Sequence, residues 1–154
     1  MVNSVEKQIQ QLLEKGGEFN VQLDLEELKA SLVAADVSCF RADCSRARNR
    51  SAVFRAVVKA VDYPEFFGSS FDGFYDCLTD TLMDSKAGVA LLFDDLHSAD
   101  PDLERDMPRL MDVLEEVAEY AREQGKIFAY GIKHGGRHPD AEPGEVRNWS
   151  DTAE

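Results

Sequence analysis

Four aspartates, Asp72, Asp76, Asp80 and Asp84, recur at every fourth residue of the segment FDGFYDCLTDTLMD. On a helix this spacing stacks the carboxylates along one face, each about 6 Å from the next. Such a row repels itself. Each like-charged pair costs roughly 0.2–0.5 kcal/mol in an isolated helix. Asp80 and Asp84 also lie toward the negative end of the helix dipole, and Asp is a weaker helix former than Glu or Lys. Stability alone would favour lysines that interrupt the row. The chemistry open to it is recognition of cations, because docking of a cationic site relieves the repulsion. Its repeat distance also resembles that of a nucleic-acid phosphate backbone, which suits mimicry of a nuclease substrate. A solvated acidic face is the plainer reading of the same spacing. Beside the acids, Phe71, Phe74, Tyr75, Leu78 and Leu82 recur at three- and four-residue steps and must face a core. Gly73 interrupts this helix at a cost of about 1 kcal/mol relative to Ala. Either another helix packs close there or a partner approaches the backbone.

Other residues invite different chemistry. Asp94, Asp95, His97 and Asp100 offer oxygen and imidazole ligands for a metal. They follow an apolar strand, the place where open parallel sheets bind ligands. No Gly-rich phosphate loop, nucleophile elbow or Cys/His metal spacing accompanies them, so they read as an acidic strand-end loop. His134 and His138 lie in a Gly-rich stretch without helical spacing. The expectation is therefore a protein that performs no chemistry itself, with no catalytic residue, metal, cofactor or small-molecule substrate. The cysteines, Cys39, Cys44 and Cys77, are odd in number and form no disulfide framework. Cys39 and Cys77 read as small core fillers.

The chain carries a net charge of −13, but unevenly. Residues 62–106 hold twelve acids and two bases, Lys86 and Arg105, whereas residues 1–61 are close to neutral. A general need for solubility would not concentrate charge so; a binding face would. This balance excludes a nucleic-acid binder, which needs clustered Lys and Arg, and an anionic membrane surface. A basic protein is the electrostatic complement. No apolar stretch approaches the ~20 residues that span a bilayer, and MVNSVEKQIQQLLEK lacks the basic and apolar regions of a signal peptide. A cytoplasmic protein is expected.

The elements that must position the acids alternate. Residues 1–15 are amphipathic and helical, stopped by Gly16-Gly17. Phe19, Val21, Leu23 and Leu25 alternate as in a half-buried strand, and Asp24 with Glu27 can cap a following helix. Strands are expected over 37–44, 87–93 and 127–132. Helices are expected over 47–62 (ended by Pro64), over 71–84 with Ser69 or Ser70 as N-cap, and from about 103 to 124 with a break at Pro108. The apolar run AGVALLF suits a strand buried on both faces. Alternating strands and helices imply an α/β fold with a parallel sheet. The reading is a three-stranded parallel sheet covered by helices over residues 37–134, an N-terminal helical extension over 1–36 that includes one possible strand, and a disordered tail over 135–154.

The segment YPEFFGSSFDGFYDCLTD resembles the most distinctive part of the barstar family, the inhibitors of barnase-type ribonucleases. The residues that carry the resemblance are Pro64, Phe66, Phe67 and Gly68 in a loop, then Asp72, Tyr75, Asp76, Cys77 and Leu78 on a helix. The order of strands and helices over 37–134 is similar to the family fold as well. The resemblance implies a ribonuclease inhibitor or immunity protein whose loop and acidic helix plug the cationic active site of a bacterial ribonuclease or ribonuclease-like toxin, one to one. Its partner-binding residues would be Phe66, Gly68, Asp72, Tyr75, Asp76, Asp80 and an acid of the later helix, Glu119 or Glu116. An immunity protein or adaptor against a non-nuclease toxin or another basic protein is the alternative. The chain departs from the family pattern at Ser70 (often Asn), Gly73 (Ala) and Tyr75 (often Trp), and Phe66 lacks the hydroxyl of a Tyr. These departures imply an altered contact surface.

Overall fold

The computed structural model describes residues 4–139. Ten elements follow one another: α1 (Ser4–Lys15), β1 (Gly17–Glu18), α2 (Leu25–Ala34), β2 (Val37–Asp43), α3 (Arg50–Val61), α4 (Phe71–Asp84), β3 (Gly88–Leu96), α5 (Pro101–Glu104), α6 (Met107–Glu123) and β4 (Ile127–His134). The strands form one sheet in the order β1-β4-β3-β2, and every pairing is parallel. The expected α/β architecture with a parallel sheet is present, but the sheet has four strands rather than three.

The fourth strand arises from a local competition. Phe19 is buried, and its N–H donates to the carbonyl of Tyr130 at 2.8 Å. The chain then turns at once: the Asn20 side chain accepts from Gln22 N–H at 2.8 Å, an Asx turn that competes with strand pairing. The alternation of Phe19, Val21, Leu23 and Leu25 is therefore not a strand. Leu25 already opens α2, capped by Asp24, which accepts from the N–H groups of Glu26 and Glu27. The pairing segment is Gly17–Glu18 instead, too short for hydrophobic periodicity to mark.

Period-two alternation sorts the central strands between two cores. Val89, Leu91 and Phe93 of β3, with Phe128, Tyr130 and Ile132 of β4, face the layer of α3, α4 and α6. Ala90 and Ala129 face the other side, where Ile9 and Leu12 of α1 and Leu28 and Leu32 of α2 cover the sheet. Residues before Val37 thus bury a face that would otherwise lie open. The region between α3 and β4 follows expectation closely. Ser70 caps α4 through Gly73 N–H at 3.0 Å, and the helix broken near Pro108 is resolved as α5 and α6. β3 runs further than expected, to Leu96, through an irregularity at Asp95, whose φ is +58°. Cys44 and Cys77 are buried and free, and burial pushes both thiols up to about 12. Of the tail expected to be disordered, residues 135–139 belong to neither helix nor strand, and the remainder lies outside the described residues. Among the described residues no helix is long and apolar enough to cross a membrane.

Candidate functional site

The loop between α3 and α4 is built on aromatic packing. Phe54 of α3, fully buried, stacks on Phe74 of α4 at 4.4 Å and meets Phe67 and Phe71 at 5.5 and 5.6 Å. Gly73 is explained by neither alternative raised above: a loop side chain of the same protein, Phe67, occupies the space where its β-carbon would be, with the nearest atom 2.5 Å away. Gly68, at φ +73°, turns the chain from Phe67 toward the helix start. Arg50 holds the same corner from outside. Its Nε donates to the carbonyl of Ser69 at 2.8 Å, its Nη1 pairs with Asp106 at 2.9 Å, and its guanidinium lies 4.6 Å above the Phe71 ring.

On this support α4 turns Phe74, Cys77, Leu78 and Leu82 inward and leaves Asp72, Asp76, Asp80 and Asp84 exposed. The expected site residues then separate into groups. Asp72 and Tyr75 of α4 meet Arg109, Glu116, Glu119, Tyr120 and Glu123 of α6 along an open cleft of about 350 Å³. Both candidate acids of the later helix line it. Tyr75 packs edge-on against Tyr120 at 6.5 Å, and burial followed by neighbouring acidic groups raises its phenol above the ordinary range. Asp76 lies one turn further along the exposed row. Among the described residues no Lys or Arg forms an ion pair with Asp72 or Asp76.

Asp80 is not brought into that cleft. It accepts a hydrogen bond from the phenol of Tyr63 at 2.6 Å and lines a separate hollow with Pro64 and Asp84. The hydrogen bond is the main reason the Tyr63 phenol is pushed up to about 12. Phe66 stands on the outer side of the loop, 37% exposed, with the Arg55 guanidinium 4.0 Å over its ring. The candidate site is therefore an acidic cleft flanked by a loop packed on aromatic rings rather than a single pocket.

Sequence reasoning missed Arg109, Tyr120 and Glu123. The steps from Glu116 to Tyr120 and Glu123 are helical, so a face shared with Glu119 was available from spacing. Arg109, one cation among these acids, sits 3.4 Å from Glu116 and carried no comparable signal. Arg50 was missed too, because contacts across 19 and 56 residues leave no trace in local pattern. The acidic strand-end residues are engaged separately: Asp94 with Arg41 at 2.6 Å, Asp95 near His97 at 3.5 Å, and Asp100 with His138 at 2.5 Å. Among the described residues no three of His, Cys, Asp and Glu converge as a metal ion would require.

Comparison with known proteins adds three findings. The family model described as Barstar (barnase inhibitor) matches residues 37–133, more than half of the chain. No curated protein matches. Among solved structures, the Aeropyrum pernix ORC2 protein in its ADPNP and ADP complexes is similar at a TM-score of 0.49 and 13% identity, over 88% of this chain and 42% of that one.

Proposed function

This chain belongs to the barstar family, and from that premise we propose that it inhibits a bacterial ribonuclease or ribonuclease-like toxin. It would do so by covering the enzyme's cationic active site with α4, the preceding loop and the exposed face of α6. The observation that carries the reading is the convergence of Asp72, Tyr75 and Glu119 on one open acidic cleft. In this reading Asp72 and Asp76 meet the cations that would otherwise hold substrate phosphates, and charge-assisted hydrogen bonds supply much of the binding energy. Glu119 and Glu116 extend the negative surface from the second helix. Tyr75 and Phe66 supply apolar contact with a polar or cationic edge. Gly68 fixes the loop's turn. Asp80 acts at the margin, where its bond to Tyr63 steadies the start of the loop.

Inhibition by occlusion requires no reaction from the inhibitor, only a surface that stays in place. The aromatic packing beneath the loop and the Arg50 clamp support that requirement, because a preorganised surface loses less conformational entropy on binding. The direct test is titration of a barnase-type ribonuclease, and of any nuclease encoded beside this gene, against the purified protein. Stoichiometric loss of ribonuclease activity is expected at a 1:1 ratio. Tight binding to an adjacent toxin without ribonuclease activity would instead make the protein an immunity factor of another kind.

A further inference from the structure

Residues 135–138 leave β4 and cross above the end of β3 to reach the end of β2. Two strand spacings are about 10 Å, within reach of four extended residues, about 13 Å. His138 makes the far attachment. Its Nε2 meets the carbonyl oxygen of Ser45, just past β2, at 2.9 Å. Its Nδ1 meets Oδ2 of Asp100, the residue preceding α5, at 2.5 Å, and its backbone N–H donates to Oδ1 of the same carboxylate at 2.7 Å. Asp100 is 4% exposed. On the near side, Gly135 N–H donates to the carbonyl of Leu96 at 2.8 Å.

The proton count follows from these partners. A carbonyl oxygen only accepts, so Nε2 must carry hydrogen. An ionised carboxylate also only accepts, so Nδ1 must carry one too. Both attachments coexist only when the ring is an imidazolium. We infer that residues 135–138 form a strap across the C-terminal end of the sheet, closed by the protonated ring of His138 between Asp100 and Ser45 and opened when that proton leaves. Other groups set its surroundings. The His97 ring lies against His138 with centroids 3.7 Å apart, and its Nδ1 donates to the carbonyl of Gly136, a further tie on the strap. Asp95 lies 3.5 Å from His97 Nε2, and Arg48, in the loop before α3, opposes the positive charge.

The directions agree. The Asp100 hydrogen bond, and then that of Ser45, raises His138 above its ordinary value. Burial pushes Asp100 up, but the bonds from His138 outweigh it and hold the carboxyl low. For His138, whose value is raised by closure, the contribution is full at low pH and lost as pH rises through the raised value. For Asp100 it is lost only as pH falls through the lowered value. The strap is closed between these limits and opens on the alkaline side as His138 deprotonates.

The test is nitrogen-15 NMR of the imidazoles, together with hydrogen exchange of the His138 and Gly135 amides, corrected for intrinsic exchange, across pH 6 to 10. In the wild type, His138 should hold protons on both ring nitrogens at the acid end of that range and titrate above the ordinary histidine value. Protection of its amide should fall in step with that titration. Asp100→Asn removes the charge without removing a helix cap, because Asp100 makes no side-chain cap bond to α5. It should lower the His138 titration and reduce amide protection by roughly ten-fold or more. If Asp100→Asn fails to fold, His138→Gln is read at Gly135, where the same loss is expected. Amide protection that ignores His138 titration, or that survives both substitutions, would overturn the strap.

Discussion

Gly73 and Phe67 compete for one space: a β-carbon at residue 73 would stand 2.5 Å from that of Phe67. The clash involves the stem of the side chain, which moves only if the loop backbone moves. Gly73→Ala should gain about 1 kcal/mol of helix propensity and lose about 1–3 kcal/mol to overpacking. We expect net destabilisation of about 1 kcal/mol in urea unfolding. Adding Phe67→Gly, which removes that β-carbon, should abolish the clash, so the double variant should lose less than the sum of the two single losses. Strict additivity would show that the contact is not felt.

The acidic row should dominate affinity without supporting the fold. Asp76→Ala should weaken binding to the cognate nuclease by roughly 30-fold or more, about 2 kcal/mol, and by more than Asp84→Ala at the helix end. Thermal stability should hold or rise, because repulsion from Asp72 and Asp80 is relieved. Calorimetric binding and melting of the same samples separate the effects. If Asp76→Ala unfolds the chain while affinity per folded molecule is unchanged, the carboxylate is structural.

The Arg50 clamp gives a third expectation. Arg50→Ala removes a bond to the Ser69 carbonyl, an ion pair with Asp106 and contact with Phe71. Hydrogen bonds to charged groups are worth about 1.5–3 kcal/mol, and we expect stability to fall within that range. Partner affinity should fall too, although Arg50 does not line the acidic cleft, because the loop before α4 would lose its outer support. Arg50→Lys keeps the charge but not the fork and should rescue only part of both losses. Unfolding curves and calorimetry of the two variants check this.

What could be read beforehand depended on range. Strands β2, β3 and β4, helix α4 and its Ser70 cap follow from local period and turn chemistry, which a single segment carries. The acids of α4 were visible because their four-residue repeat is regular. Their sorting was not: Asp72 joins Glu119 in a cleft while Asp80 turns to Tyr63, a choice made by the placement of α6 and the loop. β1 escaped because two residues have no periodicity, and the Asx turn at Asn20 broke a pattern that hydrophobicity alone would continue. Likewise, Gly73 was legible as an anomaly, but its reason lies six residues away in a loop whose path is set by Phe54.

Tyr63 provides a pH expectation. Its phenol, raised to about 12 chiefly by the bond to Asp80, contributes stability that is present below its ordinary value near 10 and lost as pH rises through the raised value. An ultraviolet titration should show a late-ionising phenol, beside the raised phenols of Tyr75 and the buried Tyr130, that is absent in Tyr63→Phe. Asp80→Asn should bring that ionisation earlier. If the phenol lost in Tyr63→Phe is one that ionises near 10, and Asp80→Asn leaves the titration unchanged, the Tyr63–Asp80 bond does not persist in solution.

Association with the partner should be steered by charge. Twelve acids against two bases in residues 62–106 give one region of the sequence a concentrated negative charge, and α4 displays four of those acids on its exposed side. Steering of this kind is itself known from the barnase–barstar pair; only its sign carries over to this chain. Raising salt from 0.01 to 0.1 M contracts the Debye length from about 30 to about 10 Å, which removes long-range attraction but leaves contact interactions largely intact. Stopped-flow measurements over that range should therefore show an on-rate that falls steeply and an off-rate that changes much less. The off-rate reports short-range packing of Phe66 and Tyr75 and bonds to Asp72 and Asp76. Arg109 sharpens the test, since among the described residues it is the one cation lining the α4–α6 cleft. Arg109→Ala should raise the low-salt on-rate a few-fold, and that gain should vanish at high salt. A flat salt profile, with no response to Arg109→Ala, would reduce the acidic face to ordinary solvated surface and leave inhibition to shape and aromatic contact alone.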